Sequence, residues 1–193
     1  MPRIDSEKFY ESAINMHGVT AQGLNWSSKL KQELRFEVIL ELLPSHLKTL
    51  NIGDAGCGFG DFYLFMQKLQ NEPLYYLGID SLVDMYSIAS DRTAQEILIA
   101  DITKEPLPSM DWYICSGALN VLTKFESYQF ISNCFKSSKK GFIFNTLYGD
   151  KKSETYNYLT MQDIETLAKE LNVRDITFKE GYIENDITLR FLK

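Results

Sequence analysis

The chain has 193 residues, 45% of them hydrophobic and 24% charged, with 12 Phe and 11 Tyr. This composition supports one packed domain and excludes intrinsic disorder. Twenty Lys and Arg against 26 Asp and Glu give a formal net charge of −6, so the surface as a whole lacks the positive field that nucleic-acid phosphates or anionic membranes require.

The N-terminus, Met1-Pro2-Arg3-Ile4-Asp5-Ser6-Glu7-Lys8, lacks the apolar stretch of a secretory signal. No apolar run approaches the roughly 18–20 residues of a membrane span. Cys57, Cys115 and Cys134 are odd in number and show no CxxC spacing, which argues against a disulfide framework and against a zinc site. A cytoplasmic protein with reduced thiols and no metal is expected.

In chain order, residues 1–26 form an arm expected to be irregular. Leu30, Leu34, Val38 and Leu42 then recur every fourth position before Pro44, which predicts an amphipathic helix over Ser27–Leu43. From residue 48 onward, β-branched and aromatic runs alternate with stretches of helical period. Lys48–Asp54, Leu74–Asp80, Glu96–Asp101, Asp111–Ser116 and Gly141–Leu147 read as five parallel strands, apolar on both faces as a doubly wound sheet requires.

Ser81 with Asp84, Thr123 with Glu126 and Thr160 with Asp163 place helix starts between the strands. Pro106 and Pro108 leave the Asp101–Asp111 connection as a loop bordering a site. Arg174–Gly181 and Asn185–Leu192 alternate apolar and polar residues and predict a C-terminal antiparallel hairpin. The expected fold is α/β, a mostly parallel seven-stranded sheet preceded by a helical arm. It forms a single domain over 1–193, with a cap at 1–45 and a core at 46–193.

The first strand ends in Gly53-Asp54-Ala55-Gly56-Cys57-Gly58-Phe59-Gly60-Asp61 and opens the helix Phe62–Leu69. Glycines there allow close backbone approach to a ligand and leave helix N-terminal N–H groups free. A dinucleotide fingerprint G-x-G-x-x-G counted from Gly56 requires glycine at 61, where this chain has Asp. Counting from Gly53 fails as well. A carboxylate beside a pyrophosphate is unfavourable, whereas Asp54 suits a ligand end that carries an ammonium, as S-adenosylmethionine does.

At these residues the chain resembles the class I, Rossmann-like S-adenosylmethionine-dependent methyltransferases. Asp54-Ala55-Gly56-Cys57-Gly58-Phe59-Gly60 matches their first motif, Gly78-Ile79-Asp80 the acid closing the second strand, and Ala100-Asp101-Ile102 the acid closing the third. The resemblance covers nearly the whole chain. It implies that Asp54, Gly56, Cys57 and Gly58 cradle the cofactor's amino-acid end, that Asp80 takes the ribose hydroxyls beside Ser81 and Leu82, and that Asp101 and Ile102 face the adenine. It also places Ser116 by the methionine part.

The arm, with His17, Trp26 and Arg35, resembles the cap of a bacterial subset, in which an Arg meets the cofactor carboxylate and an aromatic ring covers the cofactor. The implied function is in-line methyl transfer to a small-molecule acceptor, yielding S-adenosylhomocysteine. The alternative is a non-catalytic module that binds these compounds, with a nicotinamide enzyme as a third reading. In-line displacement depends on positioning and needs no covalent protein intermediate, and Tyr10, His17 and Tyr148 are the rim side chains able to meet the acceptor or act as a base. Ser116-Gly117-Ala118-Leu119-Asn120 stands where base methylases carry an Asp/Asn-Pro-Pro-aromatic signature, which argues against a nucleic-acid acceptor.

Overall fold

The computed structural model describes residues 4–193; Met1, Pro2 and Arg3, which begin the expected cap and the charged N-terminal stretch, lie outside the described residues. The strands are β1 (Asn51–Ala55), β2 (Tyr75–Asp80), β3 (Glu96–Ile99), β4 (Met110–Ser116), β5 (Ser138–Leu147), β6 (Asp175–Glu180) and β7 (Asp186–Leu192). They form one sheet in the order β3-β2-β1-β4-β5-β7-β6. The first five are parallel, and β7 enters antiparallel between β5 and β6. The chain runs outward from β1 to β3 and returns to β4 on the other side of β1, so a topological switch point lies between β1 and β4.

The helices are α1 (Ser6–His17), α2 (Lys29–Leu42), α3 (Asp61–Lys68), α4 (Val83–Thr93), α5 (Lys124–Ser137) and α6 (Met161–Glu170). Two apolar clusters cover the sheet. One gathers Tyr113, Phe142, Phe144 and Phe191 with α5 and α6, and the other gathers Ile39, Ile52, Phe62, Met66 and Trp112 with α2 and α3.

Thr123 and Thr160 each accept from the backbone N–H three residues on, and the side chains of Glu126 and Asp163 answer reciprocally. The shorter Asp therefore completes a capping box as well as Glu does. Ser81 does not cap: α4 begins after Leu82 with no side-chain cap.

Two further expectations are corrected. The arm is not irregular, because Asp5 caps the three-turn helix α1 by accepting from Lys8 N–H at 3.2 Å. The inward face of α2 takes only part of the expected row: Val38 and Leu42 are buried, Leu30 is 76% exposed, and Gln32, Arg35, Phe36 and Ile39 are buried beside them. Gln32 and Arg35 occupy that face because each has a side-chain partner elsewhere in the chain, Asp61 and Asp186.

Candidate cofactor site

The loop after β1 is shaped by its neighbour strand. Gly56 and Cys57 N–H both donate to the Ile79 carbonyl, at 2.8 and 3.0 Å, and Gly60 N–H donates to Cys57 at 3.0 Å. Gly56, Gly58 and Gly60 all have positive φ, at 76°, 53° and 75°, so a side chain at these positions would be strained. The loop delivers its backbone to Asp80 at the end of β2. The Asp80 carboxylate accepts Gly58 N–H on Oδ2 at 3.0 Å and Leu82 N–H on Oδ1 at 3.1 Å.

These groups open into a cavity of about 1180 Å³, mouth included, along the carboxyl ends of β1, β2 and β4. Asp54, Gly56, Cys57, Gly58, Asp80, Ser81, Leu82, Asp101, Ile102, Ser116, Trp26 and Tyr10 line it. Arg35, His17 and Tyr148 are absent from its wall. Arg35 is turned to Asp186, donating Nε–H to Oδ1 at 3.0 Å and a second N–H to Oδ2, and its guanidinium lies 4.6 Å from the Trp26 ring centre. His17 is exposed at the end of α1. Tyr148 forms an isolated bridge with Leu159.

Sequence reading did not single out Phe9 and Tyr156, which also line the cavity with Gln32 and Asn120. Asn120 is a junction: its Oδ1 accepts Leu147 N–H at 3.0 Å and its carbonyl accepts Asn157 N–H at 2.8 Å. It ties the 148–160 loop, which carries Tyr156, to the turn after β4. Its partners are fixed only by the fold.

The electrostatics are uneven. Asp54 is 2% exposed, and burial pushes its carboxyl up to about 7 against the opposing hydrogen bond from the Tyr76 hydroxyl at 2.6 Å. Burial also raises Asp80, opposed by the N–H groups of Gly58, Leu82 and Ser81. At Asp101 burial acts upward, but Lys104 at 2.6 Å and Thr103 outweigh it and leave the carboxyl below its ordinary value. Asp61 is paired with Arg92 at 2.8 Å and accepts from Gln32 at 3.0 Å. Burial pushes the Cys57 and Cys115 thiols well up, which makes both poor nucleophiles.

Among the described residues no group of three or more His, Cys, Asp or Glu side chains could hold a metal ion, and no helix is long and apolar enough to cross a membrane.

No family model matches the chain, and no curated protein sequence does. Solved structures do match it. Magnesium protoporphyrin IX methyltransferase from Synechocystis PCC 6803 with bound S-adenosylmethionine superposes with a TM-score of 0.70 at 14% identity, over 100% of this chain and 99% of that one. An S-adenosylmethionine-dependent methyltransferase from Leishmania major gives 0.71 at 16% identity, over 96% and 83%. Human N-acetylserotonin methyltransferase with S-adenosylmethionine gives 0.69 at 16% identity, over 98% and 60%. The fold is the Rossmann-like fold of class I S-adenosylmethionine-dependent methyltransferases.

Proposed function

We propose that the protein is an S-adenosylmethionine-dependent methyltransferase acting on a small-molecule acceptor. The observation that carries this reading is the convergence of Asp54, the Gly56–Gly58 backbone, Asp80 and Ile102 on one cavity at the switch point of the sheet.

The donor set fits the cofactor. Each Asp80 oxygen accepts one backbone N–H, which leaves lone pairs for two ribose hydroxyls. Asp54 is a buried carboxylate with no cationic partner among the described residues, a site that an ammonium would complete. Ile102 and the Asp101 turn face the adenine end, Ser81, Leu82 and Ser116 flank the rest, and Trp26 closes the arm side. Arg35, committed to Asp186, supports Trp26 and does not meet the cofactor carboxylate.

The bound cofactor supplies an electrophilic methyl group on a sulfonium. The chain's own task is to hold both reactants in line and to exclude water, so no residue need form a covalent intermediate. Residues 1–45 act as a cap on the 46–193 core. The three buried free thiols suit a reducing cytoplasm.

The test is equilibrium dialysis with methyl-labelled S-adenosylmethionine on wild type and Asp80→Ala. Loss of hydrogen bonds to a charged group, about 1–3 kcal/mol, predicts roughly 5- to 150-fold weaker binding by the variant. Affinities within about twofold would refute the ribose assignment.

A further inference from the structure

On the reading just proposed, we infer that the acceptor is an amine on an aromatic or apolar skeleton, and that the cavity rejects anionic acceptors. Among the described residues, the cavity wall contains no Lys, Arg or His; its charged members are Asp54, Asp61, Asp80 and Asp101. Asp61 and Asp101 are neutralised from outside the wall by Arg92 and Lys104. Asp54 and Asp80 have no ion-pair partner among the described residues, and Asp54 accepts only the Tyr76 hydroxyl. With the cofactor's ammonium on Asp54 and its ribose on Asp80, an acceptor carboxylate or phosphate entering the rest of this space would surrender its hydration and meet no cationic side chain of the wall.

The part of the wall supplied by the arm and the 148–160 loop is aromatic. Phe9, Tyr10 and Trp26 come from the arm and Tyr156 from the loop. Trp26 lies against the turn after β4, where a Cβ on Gly117 would come within 2.3 Å of its ring. Ring faces attract positive charge and pack well on other rings, so this wall favours an amine-bearing skeleton and the charge that develops on its nitrogen.

Of the three rim candidates for a base, Tyr10 lines the cavity, and an amine attacks once it has lost its proton to become the free base. The nitrogen lone pair forms the new bond to the methyl carbon, the carbon–sulfur bond breaks with its electron pair going to sulfur, and the positive charge passes from sulfur to nitrogen. The excess proton then leaves to water. A phenol or alcohol must likewise lose its proton, so the preference for nitrogen rests on the aromatic wall, which attracts an ammonium and not a neutral hydroxyl; His17 and Tyr148 do not line the cavity.

The test uses tyramine and 4-hydroxyphenylacetate, which share a hydroxyphenyl ring and differ in the charge of the head group, titrated by calorimetry into the protein loaded with S-adenosylhomocysteine. Tyramine is expected to bind at least tenfold more tightly, and with S-adenosylmethionine any mass gain on tyramine is expected on nitrogen. Tyr156 is 37% exposed and tolerates exchange, so Tyr156→Arg is expected to cut the preference at least tenfold. Equal or tighter binding of the carboxylate, no tyramine binding, methylation on oxygen, or an unchanged preference in Tyr156→Arg would overturn the inference. If S-adenosylhomocysteine itself fails to bind, the cofactor reading has failed, and that result is separate from all of these.

Discussion

Arg35 and Asp186, 151 residues apart in the chain, form a buried two-point ion pair that fastens helix α2 to the first residue of β7. Their side chains are 7% and 1% exposed. The planar guanidinium also stacks on Trp26, so the pair links the C-terminal hairpin to the arm side of the cavity. Lys could not reproduce both contacts, having neither the fork nor the flat face.

Arg35→Ala leaves Asp186 buried without a counter-charge and is expected to cost about 3–5 kcal/mol, read from the urea midpoint. Arg35→Met combined with Asp186→Leu should recover most of that loss, since replacing both partners removes the stranded charge. A double variant as unstable as the single one would show that packing around Arg35, not charge, dominates.

Asp54 couples pH to stability and to cofactor binding. Its carboxyl sits at about 7 in the fold against an ordinary value of 3.8, so the folded state binds more protons between those values. The resulting stabilisation is present below about pH 4 and is lost as pH rises to 7. Asp54→Asn should therefore flatten this part of the stability profile relative to wild type. In wild type, affinity for S-adenosylmethionine should rise through pH 7 as Asp54 gains the charge that meets the ammonium. A flat affinity profile from pH 5.5 to 8 would remove Asp54 from that role.

Gly117 has φ 87° and faces the Trp26 ring, whose atoms Cη2 and Cζ2 would lie 2.3 and 2.5 Å from an added Cβ. Gly117→Ala combines left-handed strain with a displaced ring, for about 1–3 kcal/mol of stability. In a Trp112→Phe background, Trp26 emission should shift to the red as the ring moves toward solvent. Unshifted emission would mean that the turn yields and the ring stays.

The parts of the site that were legible in the sequence are those whose cause is local. The glycine turn, the acid closing β2 and the capping threonines each carry their reason within a few residues, and the cavity gathers the first two of these. The arm was misread: α1 buries only Ala13 among its twelve residues, and its start is marked by the single Asp5 cap. The buried face of α2 was read only in part. Val38 and Leu42 of the leucine row are buried, but Gln32 and Arg35 also turn inward, to Asp61 and Asp186, 29 and 151 residues away. Tyr156 is placed by the return of the 148–160 loop, tied by Asn157 N–H to the Asn120 carbonyl, which no window of sequence describes.

The central claim is tested most directly by calorimetric titration of the protein with S-adenosylmethionine and S-adenosylhomocysteine, with NADH as the control. Micromolar binding of both sulfur compounds and no heat with NADH is the predicted result. Binding of NADH with neither sulfur compound, or binding of none of the three, would contradict it.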